Sequence, residues 1–383
     1  MLFQTVVLSL TFALTGPGGP VAPTTTSTMG SAAPTIEWLV PQSGAVPGGT
    51  PKVTWPVKGR ARLVVPGVGT MGSRRDGTVA VPIASITKVM TAYTILKDHP
   101  LAPGESGPVI TVTRAEAASY PKRKADGETM VKVRAGMRLT QREALQGMLI
   151  RSGNNMADLL ARWDAGSRKK FVARMNRNAA ELGLTETSFA DMSGMSAKSR
   201  SSTIDLIDLA LVAMKNETFA QIVGTPKAKI PMNTLTTTNK LLGRNGVIGI
   251  KTGSTEKAGG CLLFAATDTI DGETYTIYGV MLGAPGPLIL TNAFRASEKM
   301  VISARKALRK VTLVKRGVPV LRRVDAGGAV TEYGVASSVA VAGWSGMKFR
   351  LGLPVGPEPG AVPGSITVKT SGDAIGVPLV PLT

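Results

Sequence analysis

Val81-Pro82-Ile83-Ala84-Ser85-Ile86-Thr87-Lys88 opens the stretch on which the fold turns. From Ser85 to Lys97 there is neither Gly nor Pro and most positions are apolar or small, so the segment reads as a buried helix. Ser85 and Lys88 stand three apart, a spacing that puts both side chains on one helical face with Cβ atoms about 5 to 6 Å apart. A lysine stripped of water loses its preference for the charged form and can take a proton from a neighbouring serine. Amides at the start of a helix can stabilise the oxyanion that follows.

Spacing alone does not decide the matter, because Ser-x-x-Lys begins at Ser85, Ser119, Ser167, Ser254, Ser303 and Ser345. Context discriminates. The chain's sole Ser-x-Asn, Ser152-Gly153-Asn154, lies after a helix announced by a capping box, Thr140-Gln141-Arg142-Glu143, and an apolar stripe through Leu145, Met148 and Leu149. A second helical run, Met156 to Arg162, follows it. Ser152 and Asn154 are therefore expected in a tight connection between two packed helices, although such a triplet taken alone is an ordinary turn. Gly249-Ile250-Lys251-Thr252-Gly253-Ser254-Thr255 leads into Cys261 to Ala266, which reads as a buried strand, with Tyr275 to Leu282 as its hairpin partner across Asp271-Gly272. A lysine on such a strand can offer its ammonium to an anion, and the glycine lets a ligand approach the backbone.

Composition removes other chemistries. The 383 residues suggest about two and a half domains, best met by one large and one small. With 43% hydrophobic residues the chain can bury a core. There is one histidine, His99, and one cysteine, Cys261, so neither a zinc site of several Cys and His ligands nor an intramolecular disulfide can be built. No metal and no cofactor is expected. His99, in Lys97-Asp98-His99-Pro100, reads as a loop residue, so a serine nucleophile here would depend on a base other than histidine.

Met1 to Leu14 is an apolar run of signal-peptide length, with no Lys or Arg before Lys52. Residues 1–15 are read as a signal peptide or apolar leader, 16–51 as a Pro/Gly/Thr-rich linker, 52–310 as the main domain and 311–383 as a small β-rich domain. An exported, extracytoplasmic protein at the cell wall or the outer face of the cell membrane is expected. The formal charge of +20, with clusters such as Arg305-Lys306 and Arg309-Lys310, suits polyanions or serves solubility. Aromatics at 4% and the lack of a recognition motif argue against nucleic acid, leaving anionic wall polymers or a membrane surface as candidate partners. Thr291 to Lys310 reads as an amphipathic helix, and the short β-prone runs after it suggest the small domain.

Ser-x-x-Lys, then Ser-x-Asn, then Lys-Thr-Gly is the order found in class A β-lactamases and penicillin-binding proteins. From about Trp55 to Gly283 the chain resembles the S11-type low-molecular-mass penicillin-binding proteins that are D-alanyl-D-alanine carboxypeptidases. The resemblance rests on PIASITKVMTAYTIL at 82–96, LTQREALQGMLIRSGNNMADLLA at 139–161, ELGLTETSF at 181–189 and TTNKLLGRNGVIGIKTGSTEKAGGCLLFAA at 237–266. It implies an α/β (α+β) fold, a β-lactamase/transpeptidase-like domain with an antiparallel sheet flanked by helices and an inserted helical region, plus a small all-β C-terminal domain. Arg62 to Val65 and Thr78 to Pro82 look like early strands of that sheet. It further implies catalytic Ser85, Lys88 and Ser152, with Asn154, Lys251, Thr252, Gly253 and Ser254 binding substrate. Peptidoglycan stem peptides ending in D-Ala-D-Ala would be the substrates, and β-lactams the covalent inhibitors. Where many relatives carry His, after Lys-Thr-Gly and in the segment after Phe189, this chain has Ser254 and Ala190-Asp191-Met192-Ser193-Gly194, which bears on substrate preference. A β-lactamase, a D,D-endopeptidase and a non-catalytic wall-binding or penicillin-sensing module are the competing readings. No Glu-x-x-Leu-Asn follows Ser152 to serve a class A β-lactamase.

Overall fold

The computed structural model describes residues 33–354, 363–370, 372 and 374–382; the expected leader falls outside them. Its centre is a five-stranded antiparallel sheet in the order Val247–Thr255, Gly259–Ile270, Glu273–Ala284, Arg60–Val65, Gly69–Arg74. The two long central strands are buried over most of their length, and their alternate residues feed two separate cores. Cys261, Leu263, Ala265, Val280 and Leu282 face a helical layer, whereas Leu262, Phe264, Ala266, Ile277 and Met281 face the opposite side.

The helical layer comprises α1 (Lys88–Asp98), α2 (Arg114–Ala125), α3 (Gln141–Leu149), α4 (Asn154–Ala165), α5 (Arg168–Glu181), α6 (Thr203–Met214) and α7 (Glu217–Val223). The capping box closes the start of α3: Thr140 Oγ1 accepts from the Glu143 amide at 3.2 Å, and Glu143 Oε2 accepts from the Thr140 amide at 2.8 Å. The long helix α8 (Ile289–Ala307) covers the other face of the sheet.

Several local expectations need correction. Ser85 is not in an α-helix: Ala84–Thr87 form a turn of 3-10 helix and α1 begins at Lys88. In a 3-10 turn residues i and i+3 eclipse one another, so Ser85 and Lys88 are brought even more directly together than expected. Thr78 to Pro82 does not join the central sheet. Only Val81–Pro82 is extended, paired with Arg200–Ser201, because proline lacks the donor a ladder needs. The sheet's edge is instead Gly69–Arg74, whose alternation is masked by Gly72 at φ +145°, lying against the Trp55 ring. Helix α8 stops at Ala307, and Arg309 and Lys310 enter the strand Arg309–Val314.

The span read as a linker, 16–51, contains structure in its described part. Thr35–Trp38 pairs with Pro319–Val324 and Ser43–Ala45 pairs with Lys348–Gly352. They are the two ends of a seven-stranded sheet whose other members all follow residue 318. A flat sheet of seven strands would hold its edges about 29 Å apart, whereas the five steps from Trp38 to Ser43 span at most about 18 Å. The sheet must therefore curl back on itself, and Val320, Leu321, Val335, Ile366 and Val368 are buried inside it.

Candidate active site

Three chain segments meet where the helical layer touches the free edge of the central sheet. The 3-10 turn carries Ser85, the connection between α3 and α4 carries Ser152 and Asn154, and the edge strand Val247–Thr255 carries Lys251, Thr252 and Gly253. The turn can lie so close to the strand because residue 253 has no side chain. A Cβ there would stand 3.0 Å from the Ser85 amide nitrogen and 3.1 Å from the Ile83 carbonyl oxygen. Ser254 follows at the exposed mouth of the strand.

Lys88 Nζ is wholly buried and lies 2.8 Å from Ser85 Oγ, 2.8 Å from Asn154 Oδ1 and 2.7 Å from the Ser193 carbonyl oxygen. None of the three partners carries charge. Two of them can only accept, so they take two N–H bonds, and the third direction points at a hydroxyl that can donate as well as accept. These partners accommodate an ammonium when the Ser85 hydroxyl accepts from Nζ and a neutral amine when that hydroxyl turns to donate to its lone pair. Burial accordingly lowers the Lys88 pKa to about 7, against the partly opposing pull of Asp191, Asp158 and Glu128.

Lys251 is buried as well, donating to Ser152 Oγ at 2.9 Å and to the Thr252 carbonyl at 3.1 Å. Burial first, and the charge of Lys88 second, hold its pKa well below the ordinary lysine range. An anion placed against it would reverse part of that shift. The Thr252 hydroxyl is 2.7 Å from that of Thr238. Ser152 adopts φ +65° and Ala84, next to Ser85, φ +47°. Left-handed backbone at non-glycine residues is seldom tolerated outside places where the surroundings enforce it.

Two supports escaped the sequence reading. Glu128 Oε2 accepts from Asn154 Nδ2 at 2.8 Å and is itself held by Arg123, which also bonds Asp158. Nothing in local spacing marks residue 128. The second support is Asp191, whose carboxylate accepts from the amides of Gly194, Met195 and Ser196 and from the hydroxyls of Ser193 and Ser199. That clamp fixes the carbonyl of Ser193 for Lys88. Gly194 is obligatory within it, at φ +81° with a hypothetical Cβ 1.8 Å from the Ala84 carbonyl oxygen. The run Asp191-x-Ser193-Gly194 was the available signal. His99 is remote in role: its Nε2 lies 2.9 Å from Asp164 Oδ1 and its ring rests on Trp163. Among the described residues no group of three or more His, Cys, Asp or Glu is arranged to hold a metal ion.

A family model described as D-alanyl-D-alanine carboxypeptidase, peptidase S11, matches residues 69–285. The chain belongs to this family. It is thus of the serine peptidase type, and the penicillin-binding-protein resemblance of its motifs holds over more than half of its length. It is similar to the D-alanyl-D-alanine carboxypeptidase DacF of Bacillus subtilis (strain 168), 33% identical over 190 residues, which are 48% of this chain and 47% of that protein. The chain thus spans about half the length of that relative. It is also similar to the D-alanyl-D-alanine carboxypeptidase of Streptomyces sp. (strain K15), 32% identical over 219 residues, 52% of this chain and 73% of the relative. The crystal structure of penicillin binding protein 5 from Haemophilus influenzae superposes with a TM-score of 0.63 over 89% of this S11-family chain and 99% of its own, at 18% identity. That likeness supports the two-part fold, including the β-rich C-terminal region.

Proposed function

We propose that this S11-family chain is a serine D,D-carboxypeptidase that removes the terminal D-alanine from peptidoglycan stem peptides. The observation that carries the reading is the set of three uncharged partners around the buried Lys88 Nζ, one of them Ser85 Oγ. Ser85 Oγ attacks the carbonyl carbon of the penultimate D-Ala while its proton passes to the Lys88 lone pair. The backbone amides of Ser85 and Ser254 receive the oxyanion. The C–N bond then breaks, and the departing D-alanine amine takes the proton that Lys88 received, relayed through Ser152, which Lys251 holds in place, so that Lys88 is neutral again for the attack of water. Asn154 orients the substrate amide and Lys88 together. Lys251 and Thr252 hold the terminal carboxylate, and water attacks the acyl-enzyme to release the shortened peptide. A β-lactam acylates Ser85 by the same route. We place the protein outside the cytoplasm, with the polymer it trims, in keeping with the apolar run Met1 to Leu14.

Mass spectrometry after exposure to penicillin tests the nucleophile directly: one adduct on the peptide containing Ser85 is expected. Free D-alanine should be released from a peptide ending in D-Ala-D-Ala. Release should vanish in Ser85→Ala and fall by about 10²- to 10⁴-fold in Lys88→Ala, the usual worth of a general base. Undiminished release in either variant refutes the assignment, and rapid turnover of a chromogenic cephalosporin without a lasting adduct would make the protein a β-lactamase.

A further inference from the structure

Helix α8 turns its buried face, Phe294, Ser297, Met300, Val301 and Ala304, toward the sheet. Its outer face borders two adjoining clefts of about 760 and 470 Å³ that share Thr54 and Lys299. The larger is closed on its far side by residues 48–54 and by Arg309 and Ser345 of the β-rich region. Six cations line the pair: Lys52, Lys58, Arg295, Lys299, Lys306 and Arg309. Among the described residues no Asp or Glu lines either cleft, and none of the six cations forms an ion pair. The helix does carry neutralised charges, but on other sides: Glu298 pairs with Arg244, and Arg305 with Asp268. Lys310, next to Arg309, pairs with Asp271. Six cations thus share one groove in which, among the described residues, no carboxylate stands.

We propose that this groove binds a linear phosphate-bearing polyanion. Like charges crowded in a concave cleft repel one another and focus a positive potential, which an anionic guest relieves. From Arg295 to Lys306 the helix rises about 16 Å, so the cations form a row along the groove. Hydroxyls of Thr50 and Ser345 line the same wall, and the floor is fixed by the Thr54 amide donating to Ser303 Oγ at 2.9 Å. A recessed row suits an extended chain better than a bilayer, which presents a broad surface. Nucleic acid is disfavoured because, among the described residues, the lining holds a single aromatic, Trp55, too few for successive bases to stack on. The groove is on the side of the central sheet opposite the Ser85 layer. Binding and catalysis are therefore separable.

The test uses the full chain and poly(glycerol phosphate) as probe, with binding followed by fluorescence anisotropy at several salt concentrations. Binding should weaken steeply with salt. In the triple variant Lys52→Gln, Lys299→Gln, Lys306→Gln the affinity should fall by about tenfold or more, and the log–log salt slope should shrink by about 2, as for three lost phosphate contacts. A control with the same loss of charge on another surface, Lys169→Gln, Lys170→Gln, Lys215→Gln, should bind like the parent. Penicillin acylation of Ser85 should be unchanged in both, which shows that each is folded, and Ser85→Ala should bind the polymer normally whatever its chemistry proves to be. Equal loss in the control, no polymer binding by the parent, or tighter groove-dependent binding of phosphatidylglycerol vesicles or oligothymidylate would each overturn the proposal.

Discussion

At the scale of single residues, the pKa of Lys88 has two consequences of definite sign. As the proposed base it must be neutral, so the rate constant for acylation should climb about tenfold per pH unit below about 7 and level off above it. Stopped-flow acylation by a β-lactam across pH 5 to 9 reads that limb. Glu128 is one of the carboxylates that hold the pKa up, so in Glu128→Gln, which keeps an acceptor for Asn154, the limb should move to lower pH. A limb that stays in place would show that another group governs it. The same shift links to stability. Unfolded, Lys88 keeps its proton up to about 10.5; folded, only up to about 7. Between these values the unfolded state binds more protons, so stability rises with pH by up to about 1.4 kcal/mol per unit, and below about 7 this contribution is fully absent. Denaturant unfolding of Lys88→Met should show a slope smaller by that amount, the part that comes from the buried Lys251 remaining.

At the scale of elements, the close approach of the 3-10 turn to the edge strand is the contact on which the proposed oxyanion site depends. In Gly253→Ala the new methyl meets the Ser85 nitrogen, the Ile83 oxygen and the Ala84 Cβ, none of which can swing aside. The strand must retreat by a few tenths of an ångström, and acylation should drop by about 10- to 100-fold, with thermal unfolding showing that the fold persists. Parent-like acylation would mean that this contact does not set the geometry. Much of the site was legible in the sequence, because Ser85, Lys88, Ser152, Asn154 and Lys251 sit in short motifs whose residue types announce their chemistry. Their mutual approach could be expected from motif order, and the helix before Ser-x-Asn announced itself through its capping box. Glu128 acts through a tertiary contact with Asn154 that no local spacing encodes, whereas Asp191 works within its own loop, where Asp191-x-Ser193-Gly194 was the only mark of it. The edge strand Gly69–Arg74 was lost because its glycines erase the alternation that marks a strand.

At the scale of the whole molecule, the N-terminal segment is structural. Thr35–Trp38 finds its partner nearly three hundred residues away, in Pro319–Val324, and Glu37 bonds Arg322 at 2.7 Å. Pairings of that separation leave no signal in a window of neighbouring residues, and four-residue strands amid Pro and Gly read as linker. The two short strands occupy both ends of the curled sheet, so they shield the edges at which Pro319–Val324 and Lys348–Gly352 would otherwise offer unpaired backbone groups. Val46 then anchors the segment in the core beneath α8, together with Trp344 and Met347. Removal of residues 1–45 should therefore act on the β-rich region alone. Amide hydrogen exchange should speed up across 319–324 and 348–352, and the protein should self-associate at concentrations where the full chain stays monodisperse. Acylation of Ser85 should keep its rate, since that side chain faces the layer beyond the central sheet. Slowed acylation together with faster exchange in α1 would show instead that the N-terminal strands support the catalytic layer, and that the two regions unfold as one.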